Sequence, residues 1–249
     1  MDDLYARIRQ RAREIGSKYP EQAFYSDHAD LMTLSRKSLE DSPILIKLHN
    51  FVASVVDDDL GHGLDHCVKV TIDAGILFLI HADQKNMREM ERERGLLLVQ
   101  AAGLLHDISR KEKRHAHAGA LAAAEILEDF PFSQHEIDAI SLAIRNHEAF
   151  HPPDPCASDM GQAISDCLYD ADKFRWGPDN FTDTVWYMVS FFKSSVSMFL
   201  ERYEEGIKGI VKIKETFRTD TGQQYGPEFV DAGLEIGEEI RQMLKDEFL

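Results

Sequence analysis

His106 and Asp107 stand together at the end of the apolar run 96–105, in Leu104-Leu105-His106-Asp107-Ile108-Ser109-Arg110. An imidazole and a carboxylate at the rim of a core pack poorly and grip a divalent metal well. Neutral histidine offers a nitrogen and ionised aspartate a hard oxygen. Two other segments supply the same ligand types: His66 in Gly61-His62-Gly63-Leu64-Asp65-His66-Cys67-Val68-Lys69-Val70, and Asp172 in Tyr169-Asp170-Ala171-Asp172-Lys173. Nine of the eleven histidines lie between His62 and His151, so imidazoles are concentrated where these carboxylates are. Four protein ligands leave a six-coordinate ion with room for water or substrate. Water on such an ion is acid enough to serve as a nucleophile at about pH 7.

The elements that must bring these groups together have helical spacing throughout. Leu4, Ile8, Ala12 and Ile15 make one apolar stripe. Pro43 opens a second helix with Ile44, Leu45, Leu48, Phe51, Val52 and Val55 on one side, and 57–61 ends it. Further helices are expected over 64–81, from Arg94-Gly95 to Leu105, and over 117–128, stopping at Phe130-Pro131. Ser133 with Glu136 three residues on reads as a capping box for a helix to Arg145. The proline-rich 151–155 reads as a loop. Helices resume over 160–172 and 181–204. A glycine-containing loop is expected at 219–226, and Pro227 starts a last helix to about Lys245. No alternating strand and no internal repeat is found. The pattern predicts an all-α fold in which neighbouring helices bring His66, His106, Asp107 and Asp172 together in a bundle core.

Composition narrows the partners. The 249 residues suffice for one large core or two small ones, and 43% hydrophobic with 29% charged residues is globular. A formal net charge of −16 argues against a nucleic-acid polymer. A small phosphorylated substrate stays open, because a bound metal reverses the local field. Cys67, Cys156 and Cys167 form no CxxC pair, which predicts a reduced, cytoplasmic chain. The charged N-terminus reads as helix rather than signal peptide. Asp183 and Lys193 interrupt the apolar stretch 182–200, so no membrane span is expected.

His66…His106-Asp107…Asp172 resembles the H…HD…D signature of the HD-domain superfamily of metal-dependent phosphohydrolases. His66-Cys67-Val68-Lys69-Val70 is similar to that family's HxxRV segment, with Lys69 in place of the usual arginine. His115-Ala116-His117-Ala118-Gly119-Ala120 resembles its HxxxGA. Asn146-His147-Glu148 falls where the family has a further, often doubled histidine, and Asp170-Ala171-Asp172-Lys173 resembles its closing D-x-D-[KR]. The resemblance covers about residues 43–180. It implies an HD-domain-like helical bundle with an additional C-terminal helical segment: 1–42 as N-terminal helices on the core, 43–180 as the metal-site core, and 181–249 as C-terminal helices of the same compact unit.

The same resemblance implies that His66, His106, Asp107 and Asp172 hold one divalent metal, with Mn, Fe, Ni, Mg and Zn all open. His115 and His147 match positions that hold a second metal or act as acid and phosphate ligand. Asp107 would bridge two ions, and Lys173 and Arg110 would contact a substrate phosphate. Asp107, His115, His147 and Lys173 are thus the expected catalytic set. Glu148 stands where a doubled histidine would be, so one ion or two stays open, as does His117 in place of His115. The implied activity is hydrolysis of a small phosphoester, a nucleotide among the candidates, by metal-activated water. A di-iron oxygenase on the same ligand set and a non-catalytic ligand-binding regulatory domain are the alternatives. Asp172 is favoured over Asp170 as ligand because Lys173 follows it. Surface or helix-face roles are expected for His62, His28, His49, His81, His135 and Asp166, core packing for Phe174, Arg175 and Trp176, and solvated faces for Asp57-Asp58-Asp59 and Glu235 to Glu239.

Overall fold

The computed structural model describes residues 3–57 and 61–249; Asp58 and Asp59 of the acidic run, and Leu60, lie outside the described residues. The helices are α1 (Asp3–Gly16), α2 (Ala23–Asp27), α3 (Ala29–Asp41), α4 (Pro43–Val55), α5 (Leu64–Gln84), α6 (Glu89–Leu105), α7 (His115–Leu127), α8 (Gln134–Arg145) and α9 (Asp159–Phe174). A π-helical turn (Asn180–Thr184), α10 (Val185–Phe191), α11 (Val196–Ile213) and α12 (Asp220–Glu247) follow. No strand occurs among the described residues, so the fold is all-α, a helical bundle with an additional C-terminal helical segment.

Helix α5 is the axis. His66, Cys67 and Val70 through Ile80 are buried along it, and it packs against α3, α6 and α9. A helix buried on nearly every side must be largely apolar: 74–80 is apolar throughout, and the buried Thr71 and Asp73 are hydrogen-bonded. Helix α6 approaches it closely at Gly103, where an added Cβ would lie 2.7 Å from the Thr71 Cα. That closeness brings the start of α5 and the end of α6, and with them His66 and His106, side by side. Gly103→Ala should force the helices apart and destabilise the chain by about 1–3 kcal/mol, read as a fall in the melting temperature. An unchanged melting temperature would refute the close approach.

Several boundaries differ from expectation. In α1 Tyr5 is buried while Leu4 is exposed, so the stripe is Tyr5, Ile8, Ala12 and Ile15. Helix α6 begins at Glu89, before Arg94-Gly95, and Gly95 lies inside it against the Phe78 ring. The helix expected over 181–204 breaks between α10 and α11. Lys193 takes a φ of 50° there, Tyr5 donates to the Ser194 carbonyl, and the Ser195 hydroxyl caps α11.

The loop expected at 219–226 is also helix. Thr219 caps α12, its hydroxyl accepting from the Gly222 amide at 2.8 Å, and Pro227 lies inside. Anchoring to α9, described below, outweighs the poor intrinsic propensity of Gly222, Gly226 and Pro227. The capping box of α8 forms as expected, and Arg94 holds Glu136 through a second face at 2.6 and 2.8 Å.

Candidate metal centre

His106 caps the C-terminus of α6, and Asp107 follows as the chain turns repeatedly before α7. His66 lies one turn into α5, Asp172 in the last turn of α9, and His147 just past α8. Four ligand-type atoms converge. His66 Nε2 lies 3.1 Å from His106 Nε2, 3.4 Å from Asp172 Oδ1 and 3.6 Å from Asp107 Oδ2. His106 Nε2 lies 3.4 Å from Asp107 Oδ2 and 3.7 Å from Asp172 Oδ1. Ligands about 2.1 Å from a common ion are about 3.0–3.4 Å apart, close to this spacing.

All four side chains are buried. His106 Nδ1 donates to the Gly103 carbonyl at 2.8 Å, which leaves the Nε2 lone pair facing the cluster. Burial opposes ionisation of Asp107, but His106 and His147 outweigh it and hold the carboxyl well below the ordinary range. Asp172 is likewise held low against burial, chiefly by Lys173.

A second group lies on the other side of Asp107. His147 Nε2 is 3.6 Å and His115 Nε2 is 4.0 Å from Asp107 Oδ1. His147 Nδ1 donates to the Ile144 carbonyl at 2.6 Å, which again turns Nε2 inward. Asp107 Oδ1 is buried and accepts no hydrogen bond. A buried carboxylate oxygen without a donor is costly unless a cation meets it. The residues therefore fit metal: His66, His106 and Asp172 form one group and Asp107, His115 and His147 another, and Asp107 Oδ2 also lies 3.6 and 3.4 Å from the His66 and His106 nitrogens.

The open alternatives separate. His115, not His117, is the histidine brought to Asp107. Asp170 points away from the cluster. It accepts from the Arg218 and Thr219 amides at 2.8 Å each and from the Thr219 hydroxyl at 2.7 Å. Lys173 is buried, its ammonium bonded to Asp172 Oδ2 and lying 4.9 Å over the Tyr169 ring. Arg110 is partly exposed and donates to His115 Nε2 at 2.8 Å. Glu148 faces His151 at 4.0 Å and acts on His115 through its charge.

One residue expected at the surface belongs here. His62 is partly buried, with its ring 4.9 Å from that of His66, and its ligand atom lies in one group with those of His66 and Asp107. Its four-residue spacing from His66 was the available signal, obscured because His62 precedes the helix and Gly63 is the cap. His62, Asp107, Ser109, Arg110 and Lys111 line a mouth of about 220 Å³ over the cluster. Trp176 is only partly buried beside Phe150, whereas Phe174 stacks on Phe229 at 4.2 Å. No helix among the described residues is long and apolar enough to cross a membrane.

The HD domain family matches residues 63–175. The crystal structure of a predicted HD superfamily hydrolase from an uncultured Thermotogales bacterium is similar in fold, with a TM-score of 0.50 and 20% identity over 85% of this chain and 97% of that one. No curated protein matches the chain. The matched span, 63–175, holds His66, His106, Asp107, His115, His147 and Asp172 in order, and over it the chain is similar to the HD domain family.

Proposed function

We propose that the chain is a divalent-metal-dependent phosphohydrolase of a small phosphoester, with nucleotides among the candidate substrates. The observation that carries this is the convergence of His66 Nε2, His106 Nε2, Asp107 Oδ2 and Asp172 Oδ1 beneath a mouth lined by Arg110 and Lys111. His66, His106, Asp107 and Asp172 would hold one ion, and Asp107 Oδ1, His115 and His147 a second. A divalent metal bound there supplies an acidified water and neutralises charge on the phosphoryl group.

The chain's own groups do the rest. Arg110 and Lys111 orient the phosphoryl oxygens and offset their growing charge. Burial and Arg110 lower His115 to about 4, so it is neutral at neutral pH and accepts from Arg110. That suits a ligand better than an acid. His147, with Nδ1 donating to Ile144, is likewise arranged to accept at Nε2. His62, on the wall of the mouth, is the histidine placed to protonate a leaving oxygen. Lys173 fixes Asp172 and does not reach the mouth.

Metal uptake should depend on pH through His106. In the metal-free protein burial opposes its charge, but Asp107 and Asp172 outweigh burial and raise its pKa above the ordinary 6.5. His66 moves the other way, lowered by burial. A ligating His106 must lose its proton, so affinity should begin to fall while pH is still above 6.5. Calorimetry in buffers of different ionisation enthalpy should then count proton release on binding at about pH 7. Absence of release would remove His106 from the ligand set.

The activity itself is tested by phosphate release from nucleotides and simple phosphoesters, with Mn²⁺, Mg²⁺, Ni²⁺, Fe²⁺ or Zn²⁺ each added. Metal-dependent release, abolished by chelation, is the expected outcome. Inactivity with every addition contradicts it. Two groups sharing Asp107 also suit a di-iron oxygenase, and iron content with oxygen uptake but no phosphate release would establish that instead.

A further inference from the structure

His62 lies on the wall of the mouth with Asp107, its ring 4.9 Å from that of His66. It has a glycine on each side. Gly63 is the N-cap of α5, and Gly61 takes a φ of 71°. Glycines leave the backbone around His62 little preference of its own, so contacts from elsewhere in the fold must fix where the ring sits.

Such a contact falls on Gly61. An added Cβ there would lie 2.8 Å from Thr184 Cα and 3.0 Å from the Thr184 carbonyl oxygen. Thr184 ends the π-helical turn (Asn180–Thr184), a rare element that recurs at functional sites. The turn is held from two directions. The buried Trp186 indole donates to the Phe181 carbonyl at 2.7 Å. Asp183 accepts from Arg13 at 2.8 Å and pairs with Arg9 at 3.3 Å, both on α1. Gly61, Arg13, Asp183 and Thr184 share with His66 the wall of a recess of about 50 Å³, separate from the mouth.

We propose that Gly61 is a positioning residue for His62: its close approach to Thr184, in a π-helical turn braced by α1 through Asp183, sets the His62 ring beside His66 and Asp107. The catalytic consequence rests on the reading of His62 as the acid for the leaving group. In that step the water oxygen bonds to phosphorus, the P–O bond to the leaving group breaks, and the leaving oxygen takes the proton of His62. A ring displaced by about 1 Å loses on the order of 10²-fold in such a step.

Placement is tested without activity. In the metal-free full chain, labelled at histidine, NMR should show a cross-peak between the ring protons of His62 and His66, assigned with His62→Gln. Gly61→Ala puts a side chain on a left-handed backbone and against Thr184. It should abolish this cross-peak while the ring signals of His115 and His147 hold. Asp183→Asn keeps Gly61 but loosens the turn from α1, and should weaken the same cross-peak; it decides the matter if circular dichroism shows Gly61→Ala unfolded. A cross-peak unchanged in the folded variants would overturn the assignment.

Kinetics carry the second arm. With metal added, Gly61→Ala should cut turnover of glycerol 3-phosphate on the order of 10²-fold. Turnover of 4-nitrophenyl phosphate, whose leaving oxygen needs no proton, should fall far less. Equal losses on the two esters would overturn the positioning role and make the contact structural only. Wild-type inactivity on both esters, with the cross-peak lost in Gly61→Ala, would count against the hydrolytic reading and leave the positioning of His62 standing.

Discussion

Asp107→Asn should abolish phosphate release while leaving the fold intact. The side chain keeps its volume, so packing at the end of α6 is undisturbed. What is lost is a charge that two groups share: Oδ2 faces His66 and His106, and Oδ1 faces His115 and His147. An amide offers one oxygen and turns an N–H toward one set of imidazoles. Metal catalysis contributes several kcal/mol of charge stabilisation, so turnover should fall on the order of 10³-fold. Bound metal should fall with it, and the melting temperature of the metal-free protein should hold. Retention of activity and metal would sink the assignment. Loss of activity with full metal content would make Asp107 a substrate or proton-transfer group instead.

Asp170→Ala should do the reverse, costing stability before chemistry. Only two residues from Asp172, Asp170 faces the opposite way and fastens the Arg218–Thr219 segment to α9 through three hydrogen bonds. Gly222 packs so closely on it that an added Cβ would lie 2.1 Å from Oδ2. The carboxyl is fully buried, and burial raises its pKa to about 6. It is therefore largely ionised at about pH 7.4 and accepts all three bonds.

Hydrogen bonds to a charged acceptor contribute about 1.5–3 kcal/mol each. Because water can reach part of this segment once released, the loss should total about 3–5 kcal/mol. For a chain of this size that lowers the melting temperature by about 10 °C. The effect should reach His147 as well, because Arg218 stacks 3.6 Å over the Tyr169 ring and donates to the Asn146 carbonyl at 3.0 Å. Comparison of Asp170→Ala with Asp172→Ala by melting and metal content separates the roles. Metal lost equally from both, with no difference in stability, would contradict the division.

What the sequence revealed follows from which interactions are local. The helical periods of α4, α5, α8 and α9 are local, as is the Ser133–Glu136 cap, and these elements form nearly where expected. The His66, His106-Asp107 and Asp172 set is recognisable because each member interrupts an apolar stripe with a ligand-type side chain. His62 shows no such contrast, since it lies in a glycine-rich segment before α5, and only the folded chain places its ring beside His66. Helix α12 illustrates the other limit. Gly222, Gly226 and Pro227 argue locally for a loop, and the anchor that overrides them, Asp170, is 49 residues from Thr219 in sequence. The break between α10 and α11 depends in part on Tyr5, 189 residues from Ser194.

The most direct test of the metal centre is anomalous diffraction from crystals grown with Mn²⁺, with data on both sides of the manganese absorption edge. A peak is predicted within about 2.3 Å of His66 Nε2, His106 Nε2, Asp107 Oδ2 and Asp172 Oδ1, with any second peak between Asp107 Oδ1, His115 and His147. Crystals that show no peak among these atoms, or manganese bound only elsewhere, would contradict it.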